Sequence, residues 1–255
     1  MNRILKLLFF LSFFYFLVVL YFYFTQNDKI FQKKYSKNYI SKNNIKILTF
    51  KTSDGILLEG GYVENKKDAK VVLYFGGNSN NVLEFLENIA TQIKDFNFIA
   101  FNYPGYGNSQ GLPSEEKILK YSIEIFDKYK PQIIIGRSLG TAVASYAASK
   151  RDIEKLILIT PFDSIENIAK SKYPFLPVKY ILKHKFKEID WIKKVKTHVY
   201  VILSEIENIV PKKSVKNILS NIPNLKNFYI IKNSTHGNIL QNEDFVNILE
   251  KILKH

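Results

Sequence analysis

The residues best suited to do chemistry are Gly136-Arg137-Ser138-Leu139-Gly140. A Ser flanked by glycines two positions away fits a nucleophile on a sharp strand-to-helix turn. Such a turn is crowded, so its flanking positions must lack side chains. It lifts the Ser138 hydroxyl above a sheet, at the positive end of the following helix. The run over 132–135, apolar from Ile133 to Ile135, predicts the strand, and the small residues Thr141, Ala142, Ala144, Ser145, Ala147 and Ala148 predict the helix. Cysteine is absent. That removes a thiol nucleophile, disulfide frameworks, thiolate metal sites and iron–sulfur clusters together.

A Ser nucleophile needs a general base, and the base needs a carboxylate to fix its tautomer. The chain has four His. His255 is the terminal residue, His184 lies in an irregular basic segment, and His198 begins a strand. His236 sits in Asn233-Ser234-Thr235-His236-Gly237-Asn238, between the last predicted strand and the last helix. His236 is therefore the expected base. The acid is expected after a strand between Ser138 and His236. Glu207 stands first, in Ser204-Glu205-Ile206-Glu207-Asn208-Ile209-Val210-Pro211, with Glu205 and Asp163 as alternatives. Acyl transfer also needs donors for a developing oxyanion. Leu139 N–H is one candidate. The other is Asn78 N–H, with Gly77 in reserve, in the loop Gly76-Gly77-Asn78-Ser79-Asn80-Asn81.

These residues need elements to position them. Strand-like runs over 45–52 and 56–63 flank Ser53-Asp54-Gly55, a strong hairpin signal. Apolar runs at 71–75, 98–101, 133–135, 156–159, 199–203 and 228–231 predict strands, those at 71–75 and 98–101 buried. Helical patterns at 82–94, 114–129, 139–149, 212–220 and 238–253 alternate with them. Alternation of this kind predicts an α/β fold with a mainly parallel sheet and right-handed crossovers. The segment 161–197 is irregular or helical, and its apolar side chains either form an exposed apolar surface or bury a core of their own.

The motifs resemble those of the α/β-hydrolase superfamily, and more closely its membrane-anchored abhydrolase-domain and serine aminopeptidase-like members. The likeness covers roughly residues 45–255. It rests on the strand-Asp-Gly-strand opening at Thr52 to Leu58 and the oxyanion loop from Gly76 to Asn81. It rests also on Tyr103 to Gly111, the Gly136 to Thr141 elbow, the acid loop from Ser204 to Pro211 and the later His loop. Gly76 stands where the family carries His, Ser204 where it carries Gly, and Glu207 where it carries Asp. The resemblance implies an eight-stranded, mostly parallel sheet with helices on both faces. It also implies a small lid and a Ser138–His236–acid triad.

The N-terminus is a separate object. Leu7 to Phe24 is an apolar run broken only by Ser12, and residues 4–24 are long enough to span a bilayer. No small-x-small cleavage site comes after it, so 1–26 reads as a retained transmembrane anchor. Residues 27–43 read as a polar linker and 44–255 as one hydrolase domain. Lys29, Lys33, Lys34 and Lys37 after the span outnumber Arg3 and Lys6 before it. A short basic tail, however, commonly stays inside while the chain beyond the span is exported. The catalytic domain is accordingly expected on the extracytoplasmic side.

The net charge of +14 invites a nucleic-acid reading. Of the 37 basic residues, though, only Arg3, Arg137 and Arg151 are Arg. Base readout favours that bidentate fork, so no nucleic-acid partner is expected. No metal or other cofactor is implied. The expected activity is a serine hydrolase cleaving carboxylic esters or thioesters of lipid or acyl substrates through an acyl-enzyme. A serine peptidase or aminopeptidase, and a weakly catalytic pseudo-hydrolase acting as a binding module, are the alternatives.

Overall fold

The computed structural model describes residues 3–36, 39, 41 and 45–255. Eight strands form one sheet in the order β1-β2-β4-β3-β5-β6-β7-β8. They are β1 (Lys46–Lys51), β2 (Leu57–Val63), β3 (Val71–Phe75), β4 (Asn97–Phe101), β5 (Ile133–Arg137), β6 (Lys155–Ile159), β7 (His198–Ile206) and β8 (Leu225–Thr235). β2 runs antiparallel to both β1 and β4, and every other pairing is parallel. This is the α/β-hydrolase fold. The opening hairpin turns where expected, with Gly55 at φ +86° and Asp54 bonded by Thr52 Oγ1 and Tyr121 Oη.

The helices are α1 (Arg3–Ile30), α2 (Val82–Asn88), α3 (Glu115–Tyr129), α4 (Leu139–Ala148), α5 (Ile165–Lys172), α6 (Val178–Ile181), α7 (Glu188–Ile192), α8 (Lys212–Leu219) and α9 (Glu243–Lys254). Side chains alternate across the pleat, so the sheet feeds two cores. Ile134, Leu156 and Leu158 join α3, α4 and α8 on one face. Ile133, Ile135, Ile157 and Ile159 join α2 and α9 on the other. Full burial of β5 explains why its sequence is apolar without alternation.

Three boundaries differ from the sequence reading. The helix expected over 82–94 stops at Asn88 and continues as a 3₁₀ turn over Ala90–Gln92. Asn65 explains the break, because its amide nitrogen lies within 3.0 Å of the Ala90, Ile93 and Phe96 carbonyls. β7 and β8 run beyond their apolar cores, through a register shift near Ser204 to Ile206, toward the site. The last helix begins at Glu243, after a 3₁₀ turn over Ile239–Gln241, where Asn242 accepts from Asp244 N–H.

The N-terminal boundary also moves. α1 continues to Ile30, and a 3₁₀ turn comes next over Lys33–Ser36. The expected linker is no free spacer over 27–36. Phe31 is 2% exposed and packs against His184 and Phe186, while Gln32 N–H donates to the Asn78 carbonyl. An apolar side chain with a ready pocket outweighs the polar composition around it. Residues 37, 38, 40, 42 and 43 of that expected linker, residue 44 of the expected domain, and Met1 and Asn2 of the expected anchor lie outside the described residues. By length and composition α1 suffices to cross a membrane.

Candidate active site

β5 delivers the chain to Ser138, which adopts φ +49° and ψ −119°. A non-glycine residue with positive φ is strained, and such strain persists only where the surroundings enforce it. Here Ser138 N–H bonds the Ile159 carbonyl at 2.9 Å, and α4 begins at the next residue. The two glycines of the motif are needed for close approach. A Cβ on Gly136 would fall 2.3 Å from the Gly140 carbonyl oxygen, and one on Gly140 would fall 2.1 Å from the Phe75 oxygen.

β8 carries His236 to the same edge. Its Nε2 lies 2.9 Å from Ser138 Oγ, and its Nδ1 lies 3.0 Å from Glu207 Oε2. His236 is buried. Glu207 comes just after the end of β7. Its Oε1 accepts the Ile209 and Val210 N–H groups at 2.9 Å each, and Ser204 Oγ donates to Oε2 at 3.2 Å. Burial alone would raise this carboxyl. The His236 contact and the two backbone donors outweigh burial and hold it below the usual Glu range. The three first-choice residues thus form one hydrogen-bonded chain.

The alternatives lie elsewhere. Glu205 is exposed and accepts the Asn233 N–H at 2.8 Å. Asp163 is buried, and its oxygens accept from Ser164, Asn167, Ser214 and Asn217. Those bonds tie the start of α5 to α8. They keep the Asp163 carboxyl below its ordinary range despite burial. Among the other histidines, His184 accepts from Glu115 N–H, and His198 and His255 are exposed.

Asn78 and Leu139 line the same cleft as Ser138 and Glu207, a cavity of about 600 Å³. Tyr106 Oη and Gln32 N–H both donate to the Asn78 carbonyl, and Asn78 Nδ2 reaches the Ile30 carbonyl. These bonds fix the loop. Among the described residues no hydrogen bond uses the Asn78 N–H. Leu139 N–H, first in α4, lacks an intrahelical acceptor. Gly77 lies close behind, since a Cβ there would sit 3.6 Å from Ser138 Cβ.

Two buried charged residues belong to this region and escaped the sequence reading as site residues. Arg137 packs under the turn, and its guanidinium donates to the His236 and Gly237 carbonyls at 3.0 Å each and to Asn80 Oδ1. Glu188 on α7 is fully buried. Thr141 Oγ1 lies 2.6 Å from its Oε2, and Ser145 Oγ lies 3.0 Å from its Oε1. Burial pushes the Glu188 carboxyl up to about 8. Thr141 Oγ1 also lies 2.6 Å from the Ser138 carbonyl. One hydroxyl hydrogen cannot serve both acceptors. A protonated Glu188 resolves the count by donating to Thr141, leaving Thr141 to donate to Ser138. Nothing local in the sequence marks either role. Among the described residues no cluster of three or more metal-ligating side chains occurs.

A family profile described as the alpha/beta hydrolase fold matches residues 74–177. An uncharacterized membrane protein of Saccharomyces cerevisiae is 34% identical over 149 residues, covering 54% of this chain and 52% of that protein. The lysophosphatidylserine lipase ABHD12 of Xenopus tropicalis is 31% identical over 137 residues, covering 48% of this chain and 34% of that lipase. The aligned segment therefore spans about half of the yeast relative and a third of the lipase. The structure of the Pyrococcus furiosus esterase Pf2001 superimposes with a TM-score of 0.64 at 18% identity, covering 86% of this chain and 98% of that one.

Proposed function

We propose that this chain, an α/β-hydrolase-fold protein, is a membrane-anchored serine hydrolase that cleaves carboxylic esters or thioesters of acyl or lipid substrates. The observation that carries this reading is the Ser138–His236–Glu207 chain, with contacts of 2.9 and 3.0 Å, opening into a mostly apolar cleft. His236 Nε2 takes the Ser138 proton as Oγ attacks the acyl carbonyl. Glu207 holds Nδ1–H and stabilises the imidazolium that forms. The Asn78 and Leu139 N–H groups receive the oxyanion. His236 then gives its proton to the leaving oxygen or sulfur, and an acyl-Ser138 remains. Water, deprotonated by the same imidazole, releases the acid.

The membrane half of the proposal rests on α1, whose apolar face from Ile4 to Phe24 is largely exposed. Turnover of acyl esters by the full chain, set against aminoacyl amides and a Ser138→Ala variant, tests the reading. Ser138-dependent ester hydrolysis is expected. Amide cleavage without ester cleavage would replace it with a peptidase.

A further inference from the structure

The anchor does more than tether the domain. α1 buries one stripe against the cap, with Gln26 and Ile30 buried and Phe22 half-buried. These three are spaced four residues apart, so they share one helix face. The Phe22 ring meets Tyr173 of the cap at a centroid distance of 4.8 Å with the rings tilted by 58°, and Tyr15 Oη donates to the Phe175 carbonyl at 2.9 Å.

Between this face and the cap lies a second, smaller cavity of about 70 Å³, lined by Phe22, Ile165, Ala169, Leu176, Val178 and Ile181 among others. It abuts the cleft above Ser138. Lys29, Ile30, Ile165, Ala169 and Tyr173 line both. Gln26 is the polar intruder, yet its amide is fully engaged. It donates to the Tyr23 and Ile181 carbonyls and accepts the Lys183 N–H. The passage therefore presents hydrocarbon and no spare hydrogen-bonding group from Gln26. Its far end sits beside Phe22, where the apolar run of the anchor ends. Phe175 and Tyr180, on the outer edge of the cap, are 55% and 82% exposed.

We infer that α1 and the cap together form a binding site for a hydrocarbon chain, leading from the membrane interface past Phe22 and Ala169 to Ser138. The anchor helix is thus one wall of the acyl site. This rests on the hydrolase reading and deepens it. The substrate class is an acyl ester or thioester whose chain exceeds the length held by the cleft alone, drawn laterally from the leaflet. Short water-soluble esters reach Ser138 through the open cleft and do not need the passage.

The test uses the full-length chain in phosphatidylcholine vesicles, with p-nitrophenyl palmitate and p-nitrophenyl butyrate. Ile30→Trp from the anchor side and Ala169→Trp from the cap side both narrow the passage. Each is expected to lower the palmitate-to-butyrate ratio of kcat/KM at least tenfold. The ratio cancels a general loss of folded protein. An unchanged ratio in both variants, with Ser138-dependent hydrolysis persisting, would overturn the passage while sparing the hydrolase. A wild-type protein that cleaves neither ester would instead overturn the hydrolase reading. A second measurement needs no turnover. A diazirine-bearing stearate, photolysed with the wild type, is expected to label Phe22, Gln26 or Ile30 on the inner face of α1 and residues within 165–182. Labelling confined to the outer face of α1, around Phe9 and Phe24, would overturn the site.

Discussion

Arg137 and His236 are joined through the main chain. The Arg137 guanidinium donates to the His236 carbonyl at 3.0 Å and to the Gly237 carbonyl at 3.0 Å. The Ser138 turn and the His236 loop are therefore held as one piece by a contact between residues 99 apart in sequence.

Removing that clamp tests its worth. Arg137→Met keeps the stem and loses the donors. It should lower kcat by about 10- to 100-fold with little change in KM, since misplacing a catalytic group by an ångström costs on this order. Arg137→Lys should recover only part, because one ammonium cannot reproduce the fork. Steady-state kinetics on a short ester reads both. A KM effect without a kcat effect would contradict the clamp.

Glu207 is one methylene longer than the Asp that the resemblance leads one to expect. Its backbone donors Ile209 and Val210 are fitted to Glu, so Glu207→Asp should retract the carboxylate from His236. Loss of about tenfold in kcat is expected for Glu207→Asp, and about 10³- to 10⁴-fold for Glu207→Gln, which removes the tautomer-fixing charge. Full activity in Glu207→Gln would move the acid to another residue, with Glu205 and Asp163 the next variants to make.

Glu188 links pH to stability. Its carboxyl titrates near 8 in the folded protein against an ordinary 4.5. Between those values the folded state keeps a proton that the unfolded chain has lost. Stability from this group is therefore complete below 4.5 and falls as pH rises toward 8, by at most about 1.4 kcal/mol per unit. Glu188→Gln keeps a donor for Thr141 and cannot ionise. Denaturant unfolding from pH 5 to 8 should show the variant gaining on the wild type as pH rises. A constant difference would contradict the assignment.

Phe31 tests how firmly the anchor junction is built into the domain. At 2% exposure it should behave as a core residue. Phe31→Ala should cost about 3–5 kcal/mol, which for a chain of this size lowers Tm by roughly 6–20 °C. A change under 1 kcal/mol in thermal or denaturant unfolding would return 27–36 to the role of a spacer.

Much of this was legible from local pattern. β5 is fully buried and β6 is buried from Leu156 to Ile159, so their runs of Ile and Leu announce them. The Ser138 turn is dictated by two glycines whose backbones touch others. The loop between the last strand and the last helix, together with chain order, points to His236, and the Ser204 to Pro211 loop ranks Glu207 first. What local pattern misses lies in pairings across the chain. Asn65 ends a helix 23 residues away. Glu188 meets α4 across 47 residues, and Phe31 finds a pocket made by His184 and Phe186. The ends of β7 and β8 stay in the ladder although polar, because pairing rather than hydropathy holds them.

The central claim is that Ser138 is the nucleophile. A fluorophosphonate probe applied to the full-length protein, with peptide mapping of the adduct, tests it most directly. Stoichiometric labelling at Ser138 is expected, abolished in Ser138→Ala and slowed at least 100-fold in His236→Ala. Absence of labelling in the folded wild type, or labelling that survives Ser138→Ala, would contradict the account.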